Sequence, residues 1–177
     1  MTFEHHIRSV ASSIAQKIGL LRKCYKTFAD NVAVRKSFFA FILPHFEYCT
    51  TIWMSAADCH LKLLDRSLNS IKFILPDFSL DLDHRRLVGS ISVFFKILNN
   101  SRHPLHSALP ASFTPTRLTR YTESLNSRAL NFVDTRTNQF SRCFMPSMVR
   151  LWNGLPDNIV NSGDLTIFKS RVNKFLP

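Results

Sequence analysis

Glycine is scarce, 4 in 177 residues, and a chain so poor in it has few of the tight turns that a sandwich or barrel of short strands needs. Long apolar runs are missing too. The uncharged, largely apolar run Ser37 to Phe46 stops at Glu47, well short of the ~20 apolar residues that cross a bilayer. The N-terminal MTFEHHIRSV has no apolar core of a secretory signal. The expectation is an intracellular protein, cytoplasmic or nuclear and not secreted, without membrane association. Thiols stay reduced in such compartments, so Cys24, Cys49, Cys59 and Cys143 are expected to be free and buried.

Carboxylates are few and scattered. None of the 12 acids adjoins another, whereas a polymerase or nuclease needs clustered carboxylates to hold two metal ions about 4 Å apart. Asp81 and Asp83, two residues apart, read as capping acids at a helix start. Phe28-Ala29-Asp30-Asn31 has the outline of an aromatic-x-Asp-Asp motif, but its second carboxylate is absent and it sits between two helical patterns, so it is not catalytic. No Gly-x-Ser-x-Gly elbow or glycine-rich phosphate loop occurs. Cys49, Cys59 and His60 lack paired zinc-ligand spacing, and His103 with His106 has no second half. His45 reads as a half-buried helix residue rather than a ligand or base. No cofactor, no metal and no catalysis are expected from this chain.

What is present is positive charge and helical periodicity. The net charge is +11, read as spread along the chain, which favours polyanionic partners. The 16 Phe cluster with Leu and Ile, and the fold class is read as mainly α. Ile7, Val10, Ile14, Ile18, Leu21, Tyr25 and Phe28 line one helix face, and Asp30-Asn31 supply a stop and a fresh N-cap. A second helix from about Val32 is apolar nearly all round, which predicts a central position, and Pro44 should kink or break it. The chain then resumes helically through Tyr48, Ile52 and Trp53. Asp58 is expected to cap a third helix striped by Leu61, Leu64, Leu68, Ile71 and Ile74, ending at Leu75-Pro76. A fourth, about 82–99, turns Leu87, Ile91, Phe94 and Leu98 inward.

From 101 to 145 the periodicity fails, and Pro104, Pro110, Pro115 and many Ser and Thr predict a long irregular loop with short extended pieces. Its basic residues are all Arg: Arg102, Arg117, Arg120, Arg128, Arg136 and Arg142. A short helix from Pro146 to Asn153-Gly154 and a last helix capped by Asp164 complete the chain. The expected organisation is a helical bundle over 1–76, followed by a C-terminal region over 77–177 with its irregular Arg-rich loop at 101–145 and short helices over 146–176.

Several stretches, in order, resemble one family. FILPHFEYCTTIW, Phe41–Trp53, resembles the helix after the polymerase domain of jockey-like non-LTR retrotransposons, and Leu63–Arg66 resembles the helix that follows it. Leu151–Pro156, LWNGLP, with Phe168–Ser170 soon after, is similar to the end of the same polyprotein. The opening Phe3–Ile7 resembles the segment beyond the last palm strand. The resemblance implies the thumb and post-polymerase region of a reverse transcriptase, an RNA-directed DNA polymerase whose catalytic aspartates belong to a palm upstream of Met1. It also implies a thumb role in gripping the template–primer duplex, with RNA or an RNA/DNA duplex and the rest of the polymerase as partners.

The candidate nucleic-acid-binding residues are Arg8, Lys17, Arg22, Lys23 and Lys26 on the first helix, Arg85 and Arg86 on the fourth, and Arg117 and Arg120 in the loop. Arginine forks in that loop suit bidentate phosphate contacts. Tyr48, Trp53 and Trp152 have the chemistry to stack on bases, but at helical spacing among Leu and Ile they read as core. The alternative function is a retroelement relic or a protein-interaction module with exposed hydrophobic surface.

Overall fold

In the computed structural model the chain is mainly helical; residues 3–28, 30–75, 80–115, 119–120 and 125–176 are described. Among the described residues no strand forms, and one isolated bridge pairs Ser112 with Leu130. Two compact units divide the chain at Met1–Asp83 and His84–Pro177.

The first unit is organised by α1, Glu4–Phe28. Its apolar stripe does what the spacing predicts. Ile7, Ile14 and Ile18 are buried, with Val10, Leu21 and Tyr25 packed against the same core. Asp30 caps α2, Asn31–Ser37, accepting from Val32 N and Ala33 N. Helix α5, Asp58–Asn69, packs on α1 and continues into a 3₁₀ turn, Ser70–Phe73. Its Leu64, Leu68, Ile71 and Ile74 are buried in the shared core, and truncating fully buried Leu64 to Ala would cost about 2–5 kcal/mol. Asp58 is the first helical residue rather than the cap; Ala57 holds the N-cap position without a side-chain bond.

The run after α2 departs from the sequence reading. It passes into a π-turn, Phe38–Ile42, and on into α3, Leu43–Glu47, without leaving helical conformation at Pro44. Leu43 N–H donates to Phe38 O, five residues back. Pro44 has no N–H to give, and in a regular helix its ring would strike the carbonyl four residues back; the wider turn before it relieves this. The run ends later, at Tyr48 (ψ 127°) and at Cys49, a non-glycine residue at φ 55°, a conformation that costs about 1–2 kcal/mol. A single turn, α4, Thr50–Trp53, follows.

This helical run does not sit in the middle. It buries Val34, Phe38, Ile42, Leu43 and Phe46. On an unbroken helix those five fall at about 0°, 40°, 80°, 180° and 120°. Removing one residue between Phe38 and Ile42 would gather them within about 100°, the width of an ordinary apolar stripe. The π-turn absorbs that extra residue, and Phe39, Ala40 and Phe41 are left on the outside.

In the second unit α6, Leu82–Asn99, supplies Val88, Ile91, Phe94, Phe95 and Ile97 to the core. Leu87 and Leu98, expected inward, are half-buried. The rest comprises a 3₁₀ turn, His106–Ala108, then α7, Asn138–Ser141, α8, Phe144–Asn153, α9, Asp157–Val160, and α10, Leu165–Phe175. Asp164 caps α10 by accepting from Thr166 N. Aromatic packing joins these helices: Phe95 stacks on Phe168 with centroids 4.2 Å apart, and Trp152 meets Phe94 edge-on at 5.9 Å.

Candidate nucleic-acid interface

Residues 1–83 hold 10 Lys and Arg against 8 acids, and residues 84–177 hold 13 against 4. Cations occur along the whole chain rather than in one tail, but most of the excess belongs to the second unit.

On α1 the five candidate cations do not form one surface. At about 100° per residue, Arg8 and Lys26 share one line about 27 Å apart, Arg22 lies beside it, Lys23 faces away from the core, and Lys17 is on the opposite flank. Arg8 is already paired with Glu4 at 2.9 Å, an exposed i,i+4 contact of small energetic weight. Lys17 is half-buried and donates to His45 Nε2. Lys23 and Lys26 are exposed.

The guanidinium of Arg22 lies over the ring of Phe73, 5.5 Å from its centroid. Phe73 is 83% exposed, and Lys72 beside it is exposed as well. A cation held on an aromatic face that is open to solvent has the two groups that nucleic acids use, one for phosphate and one for a base. Phe73 is not among the sequence candidates, although at about 100° per residue it falls opposite the Leu64–Leu68–Ile71 stripe; its pairing with Arg22, distant in sequence, is what marks it.

Arg85 is exposed and Arg86 half-buried, with its Nε and Nη2 sealed from solvent. Asp81, Asp83, Arg85 and Arg86 each already have a partner. Arg120 is exposed, and Arg117 lies outside the described residues, as do Pro76 and Glu123. Of the candidate stackers, Trp53 and Trp152 are buried, their indole N–H groups donating to Tyr48 O at 3.1 Å and Arg128 O at 2.9 Å. Tyr48 is exposed rather than core, and its hydrogen bond with the Cys49 side chain raises the phenol above its ordinary value of 10.0. Cys24 and Cys59 are exposed, and Cys49 and Cys143 half-buried, so none of the four is fully interior.

The arginine-rich segment is partly tied down. Arg128 sends Nη1 to Val160 O at 3.0 Å and Nη2 to Asn99 Oδ1 at 2.9 Å, with its guanidinium 5.6 Å from the Trp152 ring centroid. Its fork is occupied within the unit, by one backbone carbonyl and one side-chain amide oxygen. Around it, Asn153 exchanges two hydrogen bonds with the backbone of Leu130, at 2.9 and 2.8 Å. Asn126 Nδ2 donates to Trp152 O and Leu155 O at the end of α8. Asp157 accepts from the N–H and hydroxyl of Ser127, both at 2.7 Å, and these bonds lower its carboxyl below the ordinary 3.8. Asp164 is likewise lowered by the Thr166 N–H. The LWNGLP stretch is thus a structural element: Trp152 and Leu155 enter the core and Asn153 fastens residues 126–130 to α8.

Asp30 uses its Oδ1 to cap α2. Among the described residues no group of three or more His, Cys, Asp or Glu is placed to hold a metal ion, and no helix is long and apolar enough to cross a membrane. Comparison of the chain with protein-family models, with curated proteins and with solved structures returns no match.

Proposed function

We propose that the chain is the C-terminal piece of a retrotransposon RNA-directed DNA polymerase, catalytically silent without its palm, that binds RNA or template–primer duplex through basic residues. In this reading residues 1–76 are the thumb-like bundle, and 101–145 the Arg-rich loop that follows it. The ordered run of stretches from Phe3 to Ser170 that resemble the jockey-like elements supports the assignment. The observation that carries the binding reading is the exposed Phe73 ring with Arg22 across it and Lys23, Lys26 and Lys72 nearby. Arg22, Lys26 and Phe73 act as the contact group; Arg8, Lys17 and Arg128 have partners within the protein and contribute less.

The test is a salt titration of binding to single-stranded RNA and to an RNA/DNA duplex. Log K should fall with log salt by about 0.7–0.9 per phosphate contact, and Arg22→Gln with Lys26→Gln should flatten that slope by about 1.4–1.8. Phe73→Ala should weaken single-strand binding at least about fivefold, the lower end for a lost stacking contact, while leaving the slope unchanged. Affinity independent of salt would end the electrostatic reading. Primer extension by the same preparation should not rise above background, and any incorporation would overturn the silent assignment.

A further inference from the structure

The π-turn leaves a groove on the first unit. It measures about 460 Å³ and runs between α1 and the Phe38–His45 stretch. Leu21 and Ile42 form its floor, Leu20, Phe41 and Pro44 its walls, and the Lys17–His45 contact closes one end. Two of the wall residues are held open to solvent, Phe41 at 71% and Leu20 at 62% exposed. No acid lines the groove. Lys23 lies one turn on from Leu20 and Lys36 one turn before Ala40, both exposed, so the apolar trough is edged by cations.

We propose that this groove docks an amphipathic helix from a partner polypeptide that presents aliphatic side chains to the trough and carboxylates to its rim. The site lies between helices running in opposite directions, Lys17 meeting His45 while Cys24 shares the lining with Ser37. Its length from Lys17 to Cys24 is about 10 Å, or two turns, which accommodates side chains at i and i+3 or i+4 of a docked helix. Charge decides among occupants. A second copy of this chain, at +11, would bring one basic rim against another, whereas an acidic helix neutralises Lys17, Lys23 and Lys36 as it buries Phe41. The inference is independent of the nucleic-acid reading, whose contact group does not line the groove.

The thiol of Cys24, exposed and lining the groove, reports occupancy in the intact chain; exposed Cys59 is the internal reference. The probe is a synthetic helix with Leu at i, i+4 and i+7 and Glu at its other surface positions, compared with the same peptide carrying Lys for Glu. At ten times its dissociation constant the Glu peptide should slow iodoacetamide alkylation of Cys24 about tenfold and leave Cys59 unchanged, while the Lys peptide has no effect. Phe41→Ala, at an exposed position that does not support the core, should weaken the Glu peptide about tenfold or more. Lys17→Glu should reduce the preference for it over the Lys peptide. Equal protection by both peptides, protection by an RNA/DNA duplex, protection that grows with protein concentration alone, or none at all would each overturn the proposal.

Discussion

Replacing Asn153 by Leu tests whether the LWNGLP stretch is an architectural fastener. Asn153 is 2% exposed, and its amide closes a two-bond bracket on Leu130, itself buried. Leucine has the same branched four-atom skeleton as asparagine with bulkier methyl ends, so it fills the site and leaves no room for water to stand in for the lost amide. The N–H and C=O of Leu130 are then both buried without partners, at about 1–3 kcal/mol each. The apolar side chain returns roughly 1–2 kcal/mol by burial, so the net loss is about 3 kcal/mol, a large part of the ~5–15 kcal/mol that holds a domain folded. With Trp53→Phe removing the other indole, Trp152 fluorescence reports the second unit alone. For a urea m-value of about 1.5 kcal/mol/M, the midpoint should fall by about 2 M. Asn158→Ala, at an exposed position, is the matched control and should move it by less than about 0.4 M. A shift for Asn153→Leu no larger than the control's would refute the bracket.

Asp157 gives a pH-dependent counterpart. Its carboxyl is lowered in the fold by Ser127, so its contribution is present above the ordinary carboxylate value and is lost as pH falls through the depressed one. The melting-temperature gap between wild type and Asp157→Asn should therefore be open at pH 7 and close as the pH is taken down past the ordinary carboxylate value of 3.8; a gap constant over that range would contradict the assignment. Arg128→Lys keeps the charge but loses the fork to Val160 and Asn99; it should destabilise the second unit by about 1–3 kcal/mol in urea with RNA affinity unchanged, and a loss of affinity at unchanged stability would reverse that sorting. Asp30→Ala should cost the first unit about 1 kcal/mol through its lost cap, read by helix circular dichroism on thermal unfolding.

Where local chemistry decided the structure, residue types foretold it. The α1 stripe, the Asp30 and Asp164 caps and the inward face of α5 follow from period and capping alone, whereas in α6 Ile91 and Phe94 face inward as expected and Leu87 and Leu98 are half-buried. The second helix misled because an extra residue in its π-turn scatters the buried positions around an ideal wheel, so an amphipathic run looks apolar on every side. The candidate contact group was half legible. Arg22 and Lys26 stood out as cations, but the pairing of Arg22 with Phe73 joins two helical segments distant in sequence and carries no local mark. Arg128 misled in the opposite way, because its partners, Asn99 and Val160, are 29 and 32 residues distant in sequence. Nothing within a local window distinguishes an arginine that braces distant carbonyls from one that waits for phosphate.

The π-turn also fixes how this part of the chain can change length over generations. Elsewhere in α1 or α5, deleting one residue rotates everything beyond it by about 100° and exposes half the stripe. In the run 31–47, losing Ala40 would instead let the turn relax to ordinary helix while Val34 and Phe38 stay in register with Leu43 and Phe46. The apolar register would survive such a deletion, but Pro44 would then meet the carbonyl four residues back in ordinary helix, at a cost of about 3 kcal/mol, and Phe41 would be drawn around the helix so that the wall it forms would disappear. Ala40 and Pro44 are therefore expected to be kept or lost together.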